Sequence, residues 1–252
     1  MFDTVWAVEE LWVPSFVDAR ADPRADLRAD PRADPRADAG SGPDRWDLST
    51  RVIEASDDPL TLQPGRIVEL SGPAGMGLTR IGYRMLAGPS LTAPVVVLDM
   101  RGWMSPAAAW EVGVDPEQLV VVRCPDPKVW SQVAAALCEG VSAMYAEVPV
   151  GVREQDLRRL AALIRARQMR AVLHPLRGEL PSGVAHLRMR AVEVVWEGVT
   201  AGHGRLGRRR LVLEISGKGA AGITRRIDVE DAGENAVRVV SGLGIVQSGR
   251  AV

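Results

Sequence analysis

Lysine and cysteine are scarce in this chain, and no long apolar run is present. Only Lys128 and Lys218 are lysines, so arginine carries nearly all of the positive charge, and the formal net charge of −1 lacks the basic excess typical of nucleic-acid-binding proteins. Cys124 and Cys138 lie in apolar stretches with no second cysteine or histidine at a metal-ligand spacing, so we expect buried free thiols in a reducing compartment. No apolar run approaches the roughly 20 residues of a membrane span. Because the acidic start is also unlike a secretory signal, we expect a cytoplasmic protein without membrane contact.

The residues of a hydrolase triad are missing as well. The three histidines, His174, His186 and His203, are far apart in the sequence, and no Gly-x-Ser-x-Gly elbow occurs. A nucleophilic serine or cysteine needs a base placed beside it, and no recognised spacing supplies one. These absences exclude the common serine and cysteine hydrolases.

The N-terminal part differs in composition from the rest of the chain. Its first segment is rich in large apolar side chains and predicts a short helix ended by Pro14, which either packs on its own domain or docks a partner through Val5, Trp6 and Trp12. A repeat of Arg-Ala-Asp, mostly followed by proline, comes next and predicts a disordered linker, because no side chain in it can fill a core. The predicted organisation is helix, linker, globular core and C-terminal tail: residues 1–18, 19–44, 45–230 and 231–252.

From Trp46 onward, short apolar strands alternate with amphipathic helices. This alternation predicts an α/β fold, with a mainly parallel twisted sheet flanked by helices. The last third predicts antiparallel strands appended at the C-terminal side, with a glycine-rich hairpin turn at residues 200–209. The predicted strands are 65–70, 94–99, 119–124, 143–148, 171–174, 189–199, 210–215 and 223–229, and the predicted helices are 79–86, 129–138 and 155–170.

One segment reads Gly-Pro-Ala-Gly-Met-Gly-Leu-Thr and has the spacing of a phosphate-binding loop without its lysine. The pattern G-x-x-x-x-G-K-[ST] is met at Gly72, Gly77 and Thr79, with a further glycine at Gly75, but Leu78 stands in the lysine position. The glycines of such a loop let backbone N–H groups converge on phosphate, and the lysine neutralises the β and γ oxygens. A leucine supplies neither charge nor donor. The sequence therefore predicts the shape of a nucleotide-binding loop without a central part of its chemistry.

The strand that leads into this loop resembles the corresponding segment of the RecA recombinases. Residues 97–99, followed by a Gly-Val-Asp-x-x-x-Leu turn at 113–119, resemble the next strand and turn of that family. The order of predicted elements also fits, so that the resemblance covers roughly residues 46–229. It implies a RecA-like sheet with catalytic residues at the carboxyl ends of its strands.

The chain departs from the family pattern at those strand ends. Arg101 lies two residues after Asp99, where the family places the glutamate that activates water, and a guanidinium that stays protonated cannot be that base. Glu147 replaces the magnesium-associated aspartate, where it could still hold a metal, and His174 replaces part of the γ-phosphate sensor. Because electrostatic stabilisation is nearly all of the catalysis in phosphoryl transfer, these departures predict a pseudo-ATPase. We expect no catalytic residue, metal or cofactor, with ATP and Mg²⁺ binding as the alternative.

Two surface features remain as candidate contacts. The segments that match the recombinase DNA loops are short and carry little positive charge, which predicts weak or no direct DNA binding. The candidate contacts for DNA or an acidic partner, otherwise solvated turn residues, are Arg205, Arg208, Arg209, Arg210 and Lys218. Trp103 and Trp110 are expected to pack beneath the loop after Asp99; exposure would instead mark an interface.

An Arg/Ala-rich RecA-like domain of this size without hydrolytic residues resembles the ImuA-type accessory proteins of actinobacteria. The resemblance implies a non-catalytic protein that recruits or bridges translesion polymerase components in the SOS response, as part of a mutasome. The implied partners are an inactive Y-family polymerase homologue and an error-prone replicative-type polymerase, with RecA as a further candidate. The alternatives are a DNA repair protein that binds or slowly hydrolyses nucleotide with a lysine such as Lys218 supplied in trans, and a RecA-related inhibitor of cell division.

Overall fold

The structure is a computed structural model that describes residues 58–200, 203–231 and 237–245, with side chains described for 58–196, 208–231 and 237–239. All of these residues lie in the compact unit Leu48–Val252. The predicted N-terminal helix, with Val5, Trp6 and Trp12, and the predicted repeat linker lie outside the described residues.

Nine strands of the described residues form one mixed sheet. They are β1 (Ile67–Ser71), β2 (Val95–Asp99), β3 (Leu119–Arg123), β4 (Ala143–Val148), β5 (Arg170–Pro175), β6 (Leu187–Thr200), β7 (His203–Ser216), β8 (Arg225–Asp231) and β9 (Val237–Ile245). Their order across the sheet is β3-β2-β4-β5-β1-β6-β7-β8-β9. In this order, the first six strands, β3 through β6, pair in parallel with their neighbours. Strands β7, β8 and β9 then continue the sheet by antiparallel pairing. The expected α/β architecture with appended antiparallel strands is therefore present.

Helices cover both faces of the parallel part. They are α1 (Leu78–Ser90), α2 (Pro106–Trp110), α3 (Trp130–Leu137) and α4 (Glu154–Ala166), with short 3-10 turns at Pro116–Gln118 and Lys218–Ala220. Residues of β2 alternate between two cores: Val95 and Val97 pack with α1 and α2, whereas Val96 and Leu98 pack with α3 and α4. Burial on both faces explains why this strand reads as a continuous apolar run. None of the helices in the described segments has the length and apolar character needed to cross a membrane.

The main predicted strands and helices are confirmed, but several boundaries are wrong. Helix α1 ends at Ser90 rather than at residue 86. Helix α4 ends at Ala166 rather than at residue 170, because Gln168 has a φ of 53° and the chain turns there into β5. The segment 200–209 is not a hairpin turn: β6 continues to Thr200 and β7 starts at His203, since the glycine-rich residues join the cross-strand ladder. The expected tail beyond Asp231 contributes β9, which pairs with β8.

Helix α1 offers a test of its packing on the sheet. A Cβ on Gly82 would lie 2.2 Å from two ring carbons of Tyr145, a fully buried residue of β4. We expect Gly82→Ala to destabilise the protein by about 1–3 kcal/mol through overpacking, despite the better helix propensity of alanine. Gly88, in the same helix, has no atom within 4 Å of its Cβ position, so Gly88→Ala is the matched control. Urea unfolding measures both changes; equal effects of the two variants would contradict this packing.

Candidate functional site

A pocket of about 530 Å³ lies at the carboxyl edge of the parallel strands. Its walls are the phosphate loop (residues 72–77), the start of α1, the loop that follows β2, and the end of β5. Strands β1, β2, β4 and β5 are parallel, so the residues that follow them meet at this edge. The topology thus brings the predicted loop together with Arg101 and His174 in one cavity.

The phosphate loop has the backbone that its glycines allow. Gly72, Gly75 and Gly77 have φ values of 150°, 85° and 76°, a region that other residues rarely adopt. Gly77 precedes α1, whose first N–H groups and dipole favour an anion at this end. In the lysine position, however, Leu78 is 4% exposed and belongs to the core beneath α1, while Thr79 lines the pocket. The loop therefore keeps its shape but presents no lysine charge.

Arg101 and Glu147 form an ion pair across the sheet edge. Glu147 is fully buried at the end of β4, and its Oε1 accepts hydrogen bonds from Nε and Nη2 of Arg101, the former at 2.7 Å. Its Oε2 accepts from the backbone N–H of Met100 at 3.0 Å and of Arg101 at 3.3 Å. Both carboxylate oxygens are thus engaged, and the Arg101 guanidinium is committed to this pair.

Asp99 has a similar structural role at the end of β2. It is fully buried, and its Oδ1 accepts from the backbone N–H of Arg101 at 3.1 Å and of Gly102 at 2.8 Å. Its Oδ2 accepts from the backbone N–H of Met104 at 3.1 Å. These bonds shape the loop after β2, so the carboxylate points into its own loop.

The two sheet-edge carboxylates do not fit a magnesium ion. Mg²⁺ binds carboxylate oxygens that are free to face the metal, and here Glu147 and Asp99 direct theirs at the Arg101 guanidinium and at backbone N–H groups. In the described part of the chain, three or more His, Cys, Asp or Glu side chains nowhere gather in a way that could hold a metal ion.

His174 is held as a neutral ring. Its Nδ1 lies 2.8 Å from the carbonyl oxygen of Leu70, so Nδ1 carries the proton and Nε2 is left as an acceptor. Burial lowers the pKa of His174, despite the opposing effects of that carbonyl and of Glu147. The ring stacks on Tyr145 with centroids 6.3 Å apart. At neutral pH, His174 therefore offers the pocket a hydrogen-bond acceptor and no positive charge.

Arg209, in β7, packs directly against the phosphate loop. It is 7% exposed, and a Cβ on Gly77 would lie 1.8 Å from its Nη1. Its Nη2 donates to Asp231 Oδ2 at 2.5 Å, and Arg80 in α1 pairs with the same carboxylate at 2.9 Å. Asp231 therefore links the antiparallel extension to the start of α1. The sequence predicted Arg209 as a contact for DNA or an acidic partner, or else as a solvated turn residue, and its burial contradicts both. Its alternation with core residues along β7 is the signal that could have shown this burial.

The neighbouring arginines of β7 point to the other face of the sheet. Arg208 lies 3.7 Å from Glu230, and Arg210 forms an ion pair with Asp228, so the acidic residues of β8 balance the basic cluster. The side chain of Arg205 lies outside the described residues. Lys218 is exposed at the amino edge of the sheet, opposite the phosphate loop, since the turn that holds it follows β7 where β6 begins. The predicted contacts do not form one patch.

Two tryptophans near the pocket are exposed rather than packed under the loop. Trp103 is 65% exposed and Trp110 is 47% exposed, which contradicts the expectation that they fill the space beneath it. The Arg101 guanidinium lies 3.9 Å from the centroid of the Trp103 ring, in a cation–π contact. The Asp99 carboxylate holds the loop after β2 together by its hydrogen bonds instead. The Trp103 ring is left at the mouth of the pocket. Cys124 and Cys138, by contrast, are free and buried as expected.

Residues 59–182 match the family model described as the MT3502 N-terminal domain. The matched segment ends before the antiparallel strands begin. It includes the phosphate loop, both cysteines, and the strand-end residues Asp99, Arg101, Glu147 and His174. No curated protein matches the chain.

The contact between Arg209 and Gly77 can be measured by substitution. Alanine at Gly77 or Gly75 introduces a similar backbone cost of about 1 kcal/mol, since both residues have positive φ. Only Gly77→Ala also meets a guanidinium, because nothing lies within 4 Å of a Cβ on Gly75. We expect Gly77→Ala to lower the free energy of unfolding more than Gly75→Ala, and the excess to vanish when Arg209 is also alanine. Urea unfolding of these variants forms the cycle, and an excess that survives Arg209→Ala would contradict the contact.

Proposed function

We propose that this chain is a non-hydrolysing RecA-like accessory protein that brings translesion polymerase components together during DNA-damage-induced mutagenesis. The observation that carries the proposal is the ion pair between Arg101 and the fully buried Glu147. It stands where the recombinase family, by sequence resemblance, places its water-activating and metal-associated carboxylates. A guanidinium fixed at that point repels a metal ion and cannot take a proton from water.

The rest of the pocket supports the same proposal. Phosphoryl transfer depends on charge that is positioned around the phosphate oxygens. Leu78 supplies none, His174 is neutral, and Arg101 already has a carboxylate partner. Turnover would require all three positions to be compensated together, which favours a binding role over an enzymatic one.

The RecA-like part of the proposal rests on topology as well as on motifs. The phosphate loop connects β1 to α1 in the middle of a mixed sheet, and antiparallel strands extend that sheet beyond β6. The resemblance to recombinases over residues 46–229 is based partly on the order of predicted strands and helices, and the observed order agrees with it. The implied partners remain the inactive Y-family polymerase homologue and the error-prone replicative-type polymerase.

The mouth of the pocket has the composition of a protein-binding surface. Trp103 lines the pocket and is 65% exposed, and Arg101 stacks on its ring. Tryptophan and arginine are the residues most often found at interface hot spots, because a large rigid side chain excludes water around its contacts. We assign Trp103 as the first candidate for partner contact in the described part of the chain.

Purified components test this proposal. We expect ATP turnover to stay at background with magnesium, with or without single-stranded DNA. In a binding assay with the two polymerase proteins, Trp103→Ala should weaken capture by about tenfold or more, as loss of a hot spot does. Leu91→Ala is the control, since Leu91 is 73% exposed but does not line the pocket.

Brisk DNA-stimulated turnover would overturn the non-hydrolysing role. Absence of binding to either polymerase protein by the full chain would overturn the accessory role. Equal loss with Leu91→Ala and Trp103→Ala would remove Trp103 as the contact while leaving the other conclusions in place.

A second candidate function is nucleotide binding without hydrolysis. The retained loop backbone and a pocket of about 530 Å³, within the usual range for small-molecule sites, favour it. If it holds, saturating ATP or ADP should raise the melting temperature by several degrees, because a ligand that binds only the folded state stabilises it. Adenosine, which has no phosphate for the loop, is the control. Equal shifts with ATP and adenosine, or none with ATP, would contradict phosphate recognition by this loop.

A further inference from the structure

A second, smaller pocket lies at the opposite edge of the sheet and is surrounded by basic side chains. It measures about 70 Å³ and is formed where β1 and β6 begin. Arg66 precedes β1, His186 precedes β6, Arg165 lies in the last turn of α4, and Lys218 begins the 3-10 turn after β7. Four elements therefore each bring one basic group to the same pocket, and no carboxylate lines it.

This pocket differs from most arginine sites in the described residues, because no carboxylate lines it. Most arginines with described side chains pair with an Asp or Glu, as at the carboxyl edge and on the antiparallel face. Within the described residues, Arg66, Arg165 and Lys218 form no ion pair; Arg165 Nε donates to the carbonyl oxygen of Ala161 at 3.3 Å. Like charges gathered without a counter-charge repel one another, and a bound anion would relieve that repulsion.

His186 is held in place from two sides. Its backbone N–H donates to the Ile67 carbonyl oxygen at 2.8 Å, and its own carbonyl accepts from Gly219 N–H at 3.0 Å. The Gly219 backbone packs so close to the ring that a Cβ there would lie 2.9 Å from His186 Nε2. The sheet and the turn after β7 thus fix the position of His186, and the exposed side chains of Arg66, Arg165 and Lys218 line the pocket around it.

We propose that this pocket binds a single phosphate group through Arg66, Arg165, His186 and Lys218. Its volume has room for a few water molecules or one tetrahedral oxyanion, and not for a nucleoside. Guanidinium and ammonium groups are the usual phosphate partners in proteins, since they form charge-assisted hydrogen bonds to its oxygens. The phosphate comes either from a free ion or from a nucleic-acid backbone that passes the open side of the pocket. This pocket is separate from the phosphate loop. The tests of the proposed function therefore do not decide whether the pocket binds phosphate.

The histidine supplies a direct signal of anion binding. Burial, and then the charges of Arg66 and Lys218, lower the pKa of His186 below its usual value, so the free site holds a neutral ring at pH 7. An anion in the pocket favours the protonated ring and raises that pKa. Affinity for an anion of constant charge should therefore increase as the pH falls through the pKa of His186.

Sulfate is the probe, because it has the shape of phosphate and keeps its charge between pH 5 and pH 8. We expect sulfate to shift the NMR signals of the His186 ring saturably and to raise its pKa, whereas chloride at equal ionic strength does not. Assignment follows from His186→Gln. Arg66→Ala and Lys218→Ala should each weaken sulfate binding by about tenfold, the loss typical of one charge-assisted contact. The controls are Arg159→Ala and Lys128→Ala, which remove exposed charges outside the pocket.

The outcomes separate the two sources of phosphate. The double variant Arg66→Ala/Lys218→Ala is also tested for binding of a single-stranded oligonucleotide. If it binds the oligonucleotide more weakly and with a smaller salt dependence of affinity, the phosphate group comes from a nucleic-acid backbone. If only sulfate and inorganic phosphate are affected, the ligand is the free ion. A wild-type protein without a saturable sulfate effect at His186 would overturn the proposal, as would equal losses in the control variants.

Discussion

A fully buried carboxylate requires a charged or hydrogen-bonding partner, and at the carboxyl edge of this sheet Arg101 is that partner for Glu147. The pair joins the loop after β2 to the end of β4, and the Asp99 hydrogen bonds complete the same loop. Its geometry places Trp103 outward and leaves no free carboxylate oxygen for a metal. The same interaction thus shapes the pocket and occupies the Glu147 carboxylate.

The phosphate loop depends on a second long-range contact. Its backbone conformation is local, because Gly75 and Gly77 need positive φ. Its surroundings are not local: Arg209 reaches Gly77 from a strand more than a hundred residues later, and Asp231 joins that arginine to Arg80. The antiparallel strands are therefore in contact with the phosphate loop, and we expect a substitution in either of them to affect the packing of the other.

The two edges of the sheet differ in how their charges are balanced. At the carboxyl edge and on the antiparallel face, arginines meet carboxylates, so clusters that look basic in the sequence are locally neutral. At the amino edge, Arg66, Arg165 and Lys218 meet around His186 without a carboxylate among the pocket residues. The net charge of −1 hides this difference, because it sums over both edges. Local balance, rather than overall charge, decides where an anion is favoured.

Strand and helix positions followed from local patterns, because continuous apolar runs and helical spacing reflect burial directly. The phosphate loop followed from its glycine spacing, and the meeting of Arg101, Glu147 and His174 at one edge followed from parallel strands. Local patterns did not predict three features: the exposure of Trp103, the burial of Arg209 and the strand that replaces the expected tail. Each of them depends on a partner distant in the chain.

By itself, the sequence determined an α/β chain with a phosphate loop that has no lysine, since these properties depend on residue type and short-range spacing. The tertiary structure alone decided which charges neutralise one another. Ion pairing depends on distances of a few ångströms between residues that the fold brings together, and no local pattern in the chain encodes those distances.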